Sequence, residues 1–168
     1  MEETIRLEEL SAVEADLDEL AEMLVEVVDD GASIGFLPPM KRETAKSYWA
    51  SVLQPGIILY VARVEGKIAG SVQVHLCAKE NGNHRAEIAK LMTHPAFRRR
   101  GIARSLMLEA EERAKQENRI LLVLDTREGD PSNLLYRSLG FTEAGRIPDF
   151  AQSGDGSLDA TVFYYKRL

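Results

Sequence analysis

The hydrophobic residues of the chain recur with two different periods, which predict helices alternating with strands. Apolar positions at helical spacing over 13–28 predict a first amphipathic helix, preceded by Ser11-Ala12-Val13-Glu14, which has the form of a capping box. A second helix is predicted over 42–53, where Pro55-Gly56 stops it. A long third helix, reaching to about Asn118, is predicted by apolar residues that recur every four positions, namely Ile102, Leu106, Ala110 and Ala114.

Other segments carry the signature of strands. Residues 4–7 predict a short first strand, and the runs 57–64 and 68–76, joined by Glu65-Gly66-Lys67, predict a hairpin. In the second of these runs, strict alternation places Ile68, Gly70, Val72, Val74 and Leu76 on one face. The other face is polar and could line a substrate site, with Ser71, Gln73 and His75. A central strand is predicted from about Arg85 to Thr93.

The apolar run Ile120-Leu121-Leu122-Val123-Leu124 predicts a strand that is buried on both faces. Because a helix joins it to the central strand, the two should be parallel. Asp130-Pro131 is typical of the start of a short helix, which Gly140 would close. Strands near 141–147 and 161–166 complete a mixed sheet with helices on both faces. With neither repeats nor a linker, residues 1–168 are expected to form a single domain.

Composition narrows the classes of function. The net charge of −6 argues against a general binder of nucleic acids or of membrane surfaces. Cys77 is the only cysteine, so an internal disulfide is excluded; a small buried apolar role and a nucleophilic role both stay open for it. The chain starts without a basic, apolar leader and has no apolar run of about 20 residues, so a cytoplasmic location is expected. Three histidines without metal-ligand spacing predict no metal site.

The segment Arg98-Arg99-Arg100-Gly101 joins the central strand to the long helix. The first turn of a helix has spare N–H donors and a partial positive charge, so a phosphate group is stabilised there. The segment has neither the Lys-Ser or Lys-Thr pair of a Walker loop nor a Gly-x-Gly-x-x-Gly fingerprint. The alternative is a solvated, charged turn.

Two motifs in this region resemble the GNAT N-acetyltransferases. Arg98-x-x-Gly101-x-Ala103 is similar to that family's Arg/Gln-x-x-Gly-x-Gly/Ala signature, and Leu135-Tyr136-Arg137-Ser138-Leu139-Gly140-Phe141 is similar to its Leu-Tyr-x-x-x-Gly-Phe element. The resemblance implies a mostly antiparallel twisted sheet of about seven strands with a central parallel pair, and acetyl-CoA as cosubstrate. It implies that the pyrophosphate is held by the loop residues Arg98, Arg99, Arg100, Gly101, Ile102, Ala103 and Arg104, and the pantetheine by the backbone of Leu91, Met92 and Thr93.

The resemblance also suggests catalytic residues. Glu87, fourteen residues before Gly101, matches the position of the family's glutamate base, and alternation would place Ala89, Leu91 and Thr93 on its face; a salt-bridged surface carboxylate is the alternative. Tyr136 matches the tyrosine near the coenzyme sulfur and is the candidate general acid; a core tyrosine packed on Phe141 is the alternative. Asp125 follows a buried strand, where open α/β sheets bind ligands; it could hold the substrate ammonium, share the base role or simply start a turn.

Several further residues are candidates for binding the pantetheine or the acceptor. Asn133 is a candidate pantetheine contact, although the family's asparagine precedes the tyrosine by seven residues, where this chain has Gly129. Phe36 and Trp49, with Tyr48, could wall the acceptor pocket or belong to the core. His75 belongs to the polar strand face described above.

The hypothesis that follows from the resemblance is direct acetyl transfer from acetyl-CoA to the amine of a small, amino-acid-like acceptor. Leu124-Asp125-Thr126, Gly129-Asp130 and the segment 155–166 resemble the branch that contains the tabtoxin-resistance acetyltransferase, which implies a toxin or antibiotic as acceptor. The alternatives are a protein or peptide N-acetyltransferase and a non-catalytic acyl-CoA-binding module. A homodimer is a further expectation, with the terminal strand 161–166 as a candidate edge.

Overall fold

Seven strands form one mixed sheet in the computed structural model, which describes residues 3–168. The strands are β1 (Ile5–Leu10), β2 (Ile57–Val64), β3 (Lys67–Leu76), β4 (Arg85–Thr93), β5 (Leu121–Arg127), β6 (Thr142–Gln152) and β7 (Leu158–Arg167). The helices are α1 (Leu17–Asp29), α2 (Arg42–Ala50), α3 (Ile102–Gln116) and α4 (Ser132–Ser138), with 3-10 turns at Glu14–Asp16 and Pro95–Phe97. The sheet order is β1-β2-β3-β4-β5-β7-β6, antiparallel except for β4 and β5, which confirms the predicted fold class.

Each face of the sheet carries its own hydrophobic core. On one face, α3 buries Ile102, Leu106, Ala110 and Ala114 against the sheet, as the four-residue period predicts. Tyr136, Leu139 and Phe141, from α4 and the residues after it, join this cluster. On the other face, α1 and α2 pack against the sheet around Leu24 and Trp49. The covered region of this second face reaches from β1 to Met92 on β4, and within residues 3–168 it contains no residue of β5.

Gly70 on β3 allows α3 to approach the sheet closely. A Cβ atom at this position would lie 2.8 Å from Ile102 Cγ2 and 2.8 Å from the Met92 carbonyl oxygen, closer than real Cβ contacts allow. Ile102 is the first residue of α3. This close packing therefore fixes the N-terminus of α3 beside the end of β4.

Two helices start differently from their predicted caps. The chain after Ser11 forms a 3-10 turn first, so α1 begins only at Leu17 and has no side-chain cap. Asp130 does not cap α4, because its carboxylate accepts a hydrogen bond from Arg127 Nε at 3.0 Å. The end of α4 is as predicted: Gly140 has a φ of +88°, and the Phe141 N–H donates to the Tyr136 carbonyl.

A β-bulge corrects the predicted faces of β3. The register passes from Ala62 opposite Gly70 to Arg63 opposite Ile68, so Ala69 has no partner on β2. Ile68 consequently packs with the α1 and α2 core, whereas Val72 and Val74 pack with the α3 core.

The C-terminal part of the sheet departs from the sequence expectation in two respects. In β5, Leu122 and Leu124 are buried but Leu121 and Val123 are only half-buried, and Ile120 is 60% exposed, so one face of this strand is not covered. The terminal strand β7 is not an edge, because it lies between β5 and β6; β6 forms that edge instead. Within residues 3–168, no helix has both the length and the apolar character needed to cross a bilayer.

Candidate active site

A split between β4 and β5 forms the main cleft of the molecule. The two parallel strands pair only at Arg85–Leu121, Ala86–Leu122 and Glu87–Val123, and then diverge. The resulting cavity of about 890 Å³ is lined by the rest of β4, the end of β5, the loop after α1, the start of α3 and part of α4. An extended ligand with amide groups could replace the missing strand pairing along β4.

A second bulge, at Lys90, reverses the predicted faces of β4. Ala89 lies opposite Gln73 and Met92 opposite Ser71, so two residues of β4 stand against Val72 alone, and Lys90 has a φ of +54°. Leu91 therefore packs toward the α3 core and Met92 toward the α1 and α2 core, the opposite of simple alternation from Glu87. The backbone of Leu91, Met92 and Thr93 lines the cleft.

The start of α3 offers unused hydrogen-bond donors to the same cavity. Gly101 adopts a left-handed conformation with a φ of +78° and precedes the helix without a side-chain cap. Within residues 3–168, no carbonyl or side chain accepts a hydrogen bond from the N–H groups of Ile102, Ala103 or Arg104. These donors and the helix dipole fit a phosphate group.

The four arginines around this turn have different surroundings. Arg99, with a φ of +63°, and Arg98 line the cavity, and Arg98 also pairs with Asp30 at 2.5 Å. Arg100 pairs instead with Glu3 and stacks 5.2 Å from the Phe97 ring centroid. Arg104 donates to Ser138 Oγ at 2.6 Å and links α3 to α4. Arg98 and Arg99 are thus the two that face the cavity.

Two carboxylates lie at the opposite end of the cavity. Glu87 extends from β4, and Asp125 from β5, where it accepts a hydrogen bond from Thr161 Oγ1 at 2.7 Å. The walls of the cavity partly desolvate Glu87 and raise its pKa above the ordinary value, as does the charge of Asp125; Lys90 opposes this effect. A carboxylate with a raised pKa is a stronger proton acceptor near neutral pH.

Tyr136 lines the cavity from α4. Its ring packs 5.9 Å from both Phe141 and Tyr164, and it is only 5% exposed. Burial, assisted by the negative charges of Asp125 and Asp130, raises the pKa of the phenol above its usual value of 10. The hydroxyl is therefore protonated at neutral pH and can act as a proton donor.

Asn133 is committed to the structure of α4. Its side-chain amide donates to the carbonyls of Arg127 and Asp130, both at 2.9 Å, and its oxygen accepts from the Tyr164 hydroxyl at 2.7 Å. The residue is nearly buried and does not line the main cavity. Its hydrogen bonds hold β5, α4 and β7 together, and these elements carry Asp125 and Tyr136.

The three candidate substrate-binding residues, Phe36, Trp49 and His75, occupy different places. Trp49 is fully buried in the α1 and α2 core and away from the cavity, because the inward face of α2 places it beneath the sheet. Phe36 packs edge-on against Tyr48 at 5.2 Å, next to the cavity-lining segment Ile34–Gly35. His75 lies opposite Glu87 on β3, half-buried and outside the cavity wall.

Sequence reasoning missed Arg127, which lines the cavity and makes three hydrogen bonds there. Its guanidinium donates to Asp130 at 3.0 Å, to the Gly31 carbonyl at 2.9 Å and to Ser153 Oγ at 3.1 Å. It thereby ties β5 to the loop after α1 and to the β6–β7 turn. Phe150 on β6 adds an apolar wall, packed on Phe163. Long-range contacts of this kind leave no periodic signal in the sequence.

Lys90 is a second residue that sequence reasoning missed. It lines the cavity, and its ammonium donates to the Ile34 carbonyl at 2.7 Å and lies 5.8 Å from the Phe36 ring centroid. The sequence did contain one sign of its role, because a lysine in a strand of otherwise mixed polarity is a candidate for a position that faces a ligand.

In the part of the chain from residue 3 onward, no group of three or more His, Cys, Asp or Glu side chains is placed to hold a metal ion.

Comparison with known proteins agrees with this geometry. Residues 21–141 match the family model described as "Acetyltransferase (GNAT) family". An uncharacterised N-acetyltransferase of the hisH–hisA intergenic region of Azospirillum brasilense is 36% identical over 116 residues, which cover 67% of this chain and 69% of that protein.

Solved structures share the fold at low identity. A Salmonella typhimurium protein, whose structure contains its cofactor acetyl-CoA, matches with a TM-score of 0.79 at 19% identity, over 100% of this chain and 95% of that one. A ribosomal-protein-alanine N-acetyltransferase from Brucella melitensis matches with a TM-score of 0.78 at 24% identity, over 98% and 99% of the two chains.

Proposed function

This chain belongs to the GNAT acetyltransferase family and is an acetyl-CoA-dependent N-acetyltransferase, and on that premise we propose that it acetylates the amine of a small, amino-acid-like acceptor. The proposal is supported chiefly by one observation: Glu87 and Asp125 face the end of the cavity that Arg127 closes. The cleft between β4 and β5, with the free N–H groups at the start of α3, fits the pantetheine and pyrophosphate of acetyl-CoA.

Glu87 acts in this proposal as the general base. An alkylamine near neutral pH is almost entirely ammonium, so it must lose a proton before its nitrogen can attack a thioester. The raised pKa of Glu87 makes its carboxylate a better acceptor for that proton. Asp125, held in place by Thr161, attracts the incoming ammonium. The proton passes to Glu87 directly or through one water molecule.

Tyr136 acts as the general acid. The nitrogen forms a bond with the acetyl carbon while the bond between carbon and sulfur breaks, and the departing thiolate needs a proton. The protonated phenol lies in the same cavity as Glu87 and supplies this proton. After the attack the nitrogen carries a positive charge and loses its second proton, which restores the phenol of Tyr136, and Glu87 passes the first proton to solvent, so that the reaction releases one proton overall.

The closed acceptor end favours a small molecule over a polypeptide. Arg127 joins β5 to the loop at Gly31 and to the turn at Ser153, so these elements close over the place to which Glu87 and Asp125 point. Phe150 offers an apolar contact there. A toxin or antibiotic with an amino-acid-like amine would meet these requirements, and the reaction would then serve as a resistance mechanism in the cytoplasm.

A peptide acceptor is the second candidate. Asp30, Asp130 and Asp159 line the cavity besides Glu87 and Asp125, and the chain carries a net charge of −6, which would attract a basic peptide.

The test is the release of coenzyme A from acetyl-CoA across a panel of free amino acids, amino-acid-like toxins and short peptides. Faster turnover of small amines supports the proposal, and rapid acetylation of peptides alone rejects it in favour of the second candidate. Binding of acetyl-CoA without turnover of any amine would favour a non-catalytic acyl-CoA-binding module.

A further inference from the structure

Lys90 presents a cation inside the acceptor end of the cavity. The bulge in β4 turns this residue out of the regular alternation, with a φ of +54°, and places its half-buried side chain in the cavity wall. A left-handed lysine in a strand is strained, since residues with a Cβ atom avoid this conformation. The strained conformation directs the ammonium toward the loop at Ile34 and Phe36.

The ammonium has hydrogen-bonding capacity left over. It has three N–H donors, and the Ile34 carbonyl accepts one of them at 2.7 Å. Within residues 3–168, no carboxylate lies within 4.0 Å of Lys90, although Glu87 and Asp125 act on it at longer range. The charge of Lys90 is therefore partly desolvated and has no direct ion pair. Holding such a charge costs free energy unless a ligand pairs with it.

The other cations of the cavity are either paired or at its opposite end. Arg98 pairs with Asp30, and Arg127 pairs with Asp130. Arg99 lines the cavity beside the free N–H groups of α3, where the pyrophosphate of the coenzyme fits. Of these cations, Lys90 is therefore the one that is available to bind the acceptor.

Gly35 lies next to this cation. A Cβ atom at Gly35 would lie 2.9 Å from Lys90 Nζ, so a larger residue would press on the ammonium. Glycine, which also supplies the φ of +93° needed there, lets the loop backbone pack close to Nζ on this side. An oxyanion of a ligand would approach Nζ from the cavity, which Lys90 lines, and accept the remaining N–H donors.

We propose that Lys90 binds an oxyanion group of the acceptor, so that the acceptor is zwitterionic, with its amine at Glu87 and Asp125 and its oxyanion at Lys90. This inference rests on the proposed function, because it assumes a small acceptor, and it adds the group that the acceptor must carry. A free α-amino acid has such a group next to its amine. A peptide N-terminus has a neutral amide in that position.

Matched pairs of acceptors test the inference. The kcat/KM values are measured for free amino acids and for the corresponding amino-acid amides, at saturating acetyl-CoA, with wild type, Lys90→Met and Lys90→Arg. Loss of a charged hydrogen bond of this kind predicts that Lys90→Met lowers the ratio of kcat/KM for the acid to that for the amide by about 10- to 100-fold relative to wild type. Lys90→Arg, which keeps the charge, should retain most of the wild-type ratio.

The ratio of acid to amide separates recognition from structure. Lys90 also lowers the pKa of Glu87 and anchors Ile34, so its loss can change the activity toward every acceptor. Both effects change the activity toward an acid and toward its amide equally. The effect on the Glu87 pKa is also removed when the rates are measured at a pH above the acid limb of the kcat/KM profile. Equal losses for acid and amide in Lys90→Met would overturn the inference while the small-acceptor function stands.

The failure of the proposed function would give a different pattern. If only peptides react, the small-acceptor function fails, and the zwitterion inference fails with it. If no amine reacts, binding is measured instead of kcat/KM. The complex with coenzyme A is titrated calorimetrically with an N-acetyl amino acid and with the corresponding amide. Tighter binding of the acid that Lys90→Met removes supports the inference, and equal binding overturns it.

Discussion

His75 on β3 and Glu87 on β4 are direct cross-strand partners. Gln73 Nε2 donates to the Tyr48 hydroxyl at 2.8 Å, which leaves Gln73 Oε1 to accept from His75 Nε2 at 2.8 Å. This network assigns the proton to Nε2. Burial and the charge of Lys90 lower the pKa of His75, so the imidazole next to Glu87 is neutral at pH 7. Glu87 thus has no imidazolium beside it to stabilise its charged form.

The first prediction concerns Glu87 and pH. A base acts only when deprotonated, so a raised pKa moves the acid limb of the kcat/KM profile to a pH above 4.5, the ordinary value. The Glu87→Gln variant should lose this limb and about 10²- to 10⁴-fold in kcat. The exposed Glu112→Gln on α3 is the matched control and should behave like wild type. A limb that persists in Glu87→Gln would assign the base to another group.

The same substitution has a predictable effect on stability. Because the pKa of Glu87 is higher in the folded protein, its stabilising contribution is present below the unfolded value and is lost as the pH rises through the folded value. At pH 7 the Glu87→Gln variant should therefore have a Tm equal to or above that of wild type, while the two converge or reverse at acid pH. Thermal unfolding at several pH values measures this, and a clearly lower Tm at pH 7 would contradict it.

Two buried tyrosines should show opposite effects when their hydroxyls are removed. Tyr136→Phe keeps the packing on Phe141 and Tyr164 but removes the proposed acid, so kcat should fall by about 10²- to 10⁴-fold with a small change in Tm. Tyr164→Phe leaves Asn133 Oδ1 without its donor, which should cost about 1–3 kcal/mol of stability. Its kcat should stay close to that of wild type. If Tyr136→Phe retains full activity, water supplies the proton instead.

Arg99 and Arg100 should differ in their importance for the coenzyme. Arg99 lines the cavity, whereas Arg100 pairs with Glu3 and stacks on Phe97. Arg99→Gln should raise the KM for acetyl-CoA about tenfold and weaken its dependence on salt, since an exposed charge pair is screened. Arg100→Gln serves as the control, with a KM near that of wild type. The phosphate assignment of this turn would be wrong if the two variants had equal KM values.

Binding of acetyl-CoA should stabilise the fold measurably. A ligand at 100 times its Kd adds about 2.7 kcal/mol, which for a domain of this size raises the Tm by about 5–10 °C. Hydrogen exchange should slow at backbone amides between Ile88 and Thr93, where β4 has no β5 partner. Stabilisation without slower exchange in this segment would place the coenzyme outside the split.

Local periodicity was sufficient for most elements of this fold. The β2–β3 hairpin, the buried face of α3 and the parallel relation of β4 to β5 all follow from spacing and connection, and the structure confirms them. The position of β7 between β5 and β6 was not predictable from local spacing, because it depends on which strands pair over long distances.

The site was predictable where a motif, a spacing or a strand end marks it, as Glu87 and Asp125, which line the cavity, also show. The turn before α3 and Tyr136 follow from sequence motifs, and both line the cavity. The bulge at Lys90 was missed, because strict alternation assumes a regular strand. For Trp49, on a predicted helix, both a place in the acceptor pocket and a place in the core were open, and the structure shows the core.

The early divergence of β4 and β5 also divides the protein mechanically into two lobes. One lobe holds β1 to β4 and the other holds β5 to β7; Arg119 links them at the closed end, where it donates to the Cys77 carbonyl, and Arg127 links them across the opening, at Gly31. A ligand bound between the lobes would keep them apart, and its contacts with both would also hold them in a fixed arrangement. The tightness of the opening, and with it the rate at which products leave, would then depend on the hydrogen bond from Arg127 to Gly31 and on the close approach of Gly154 to Pro38.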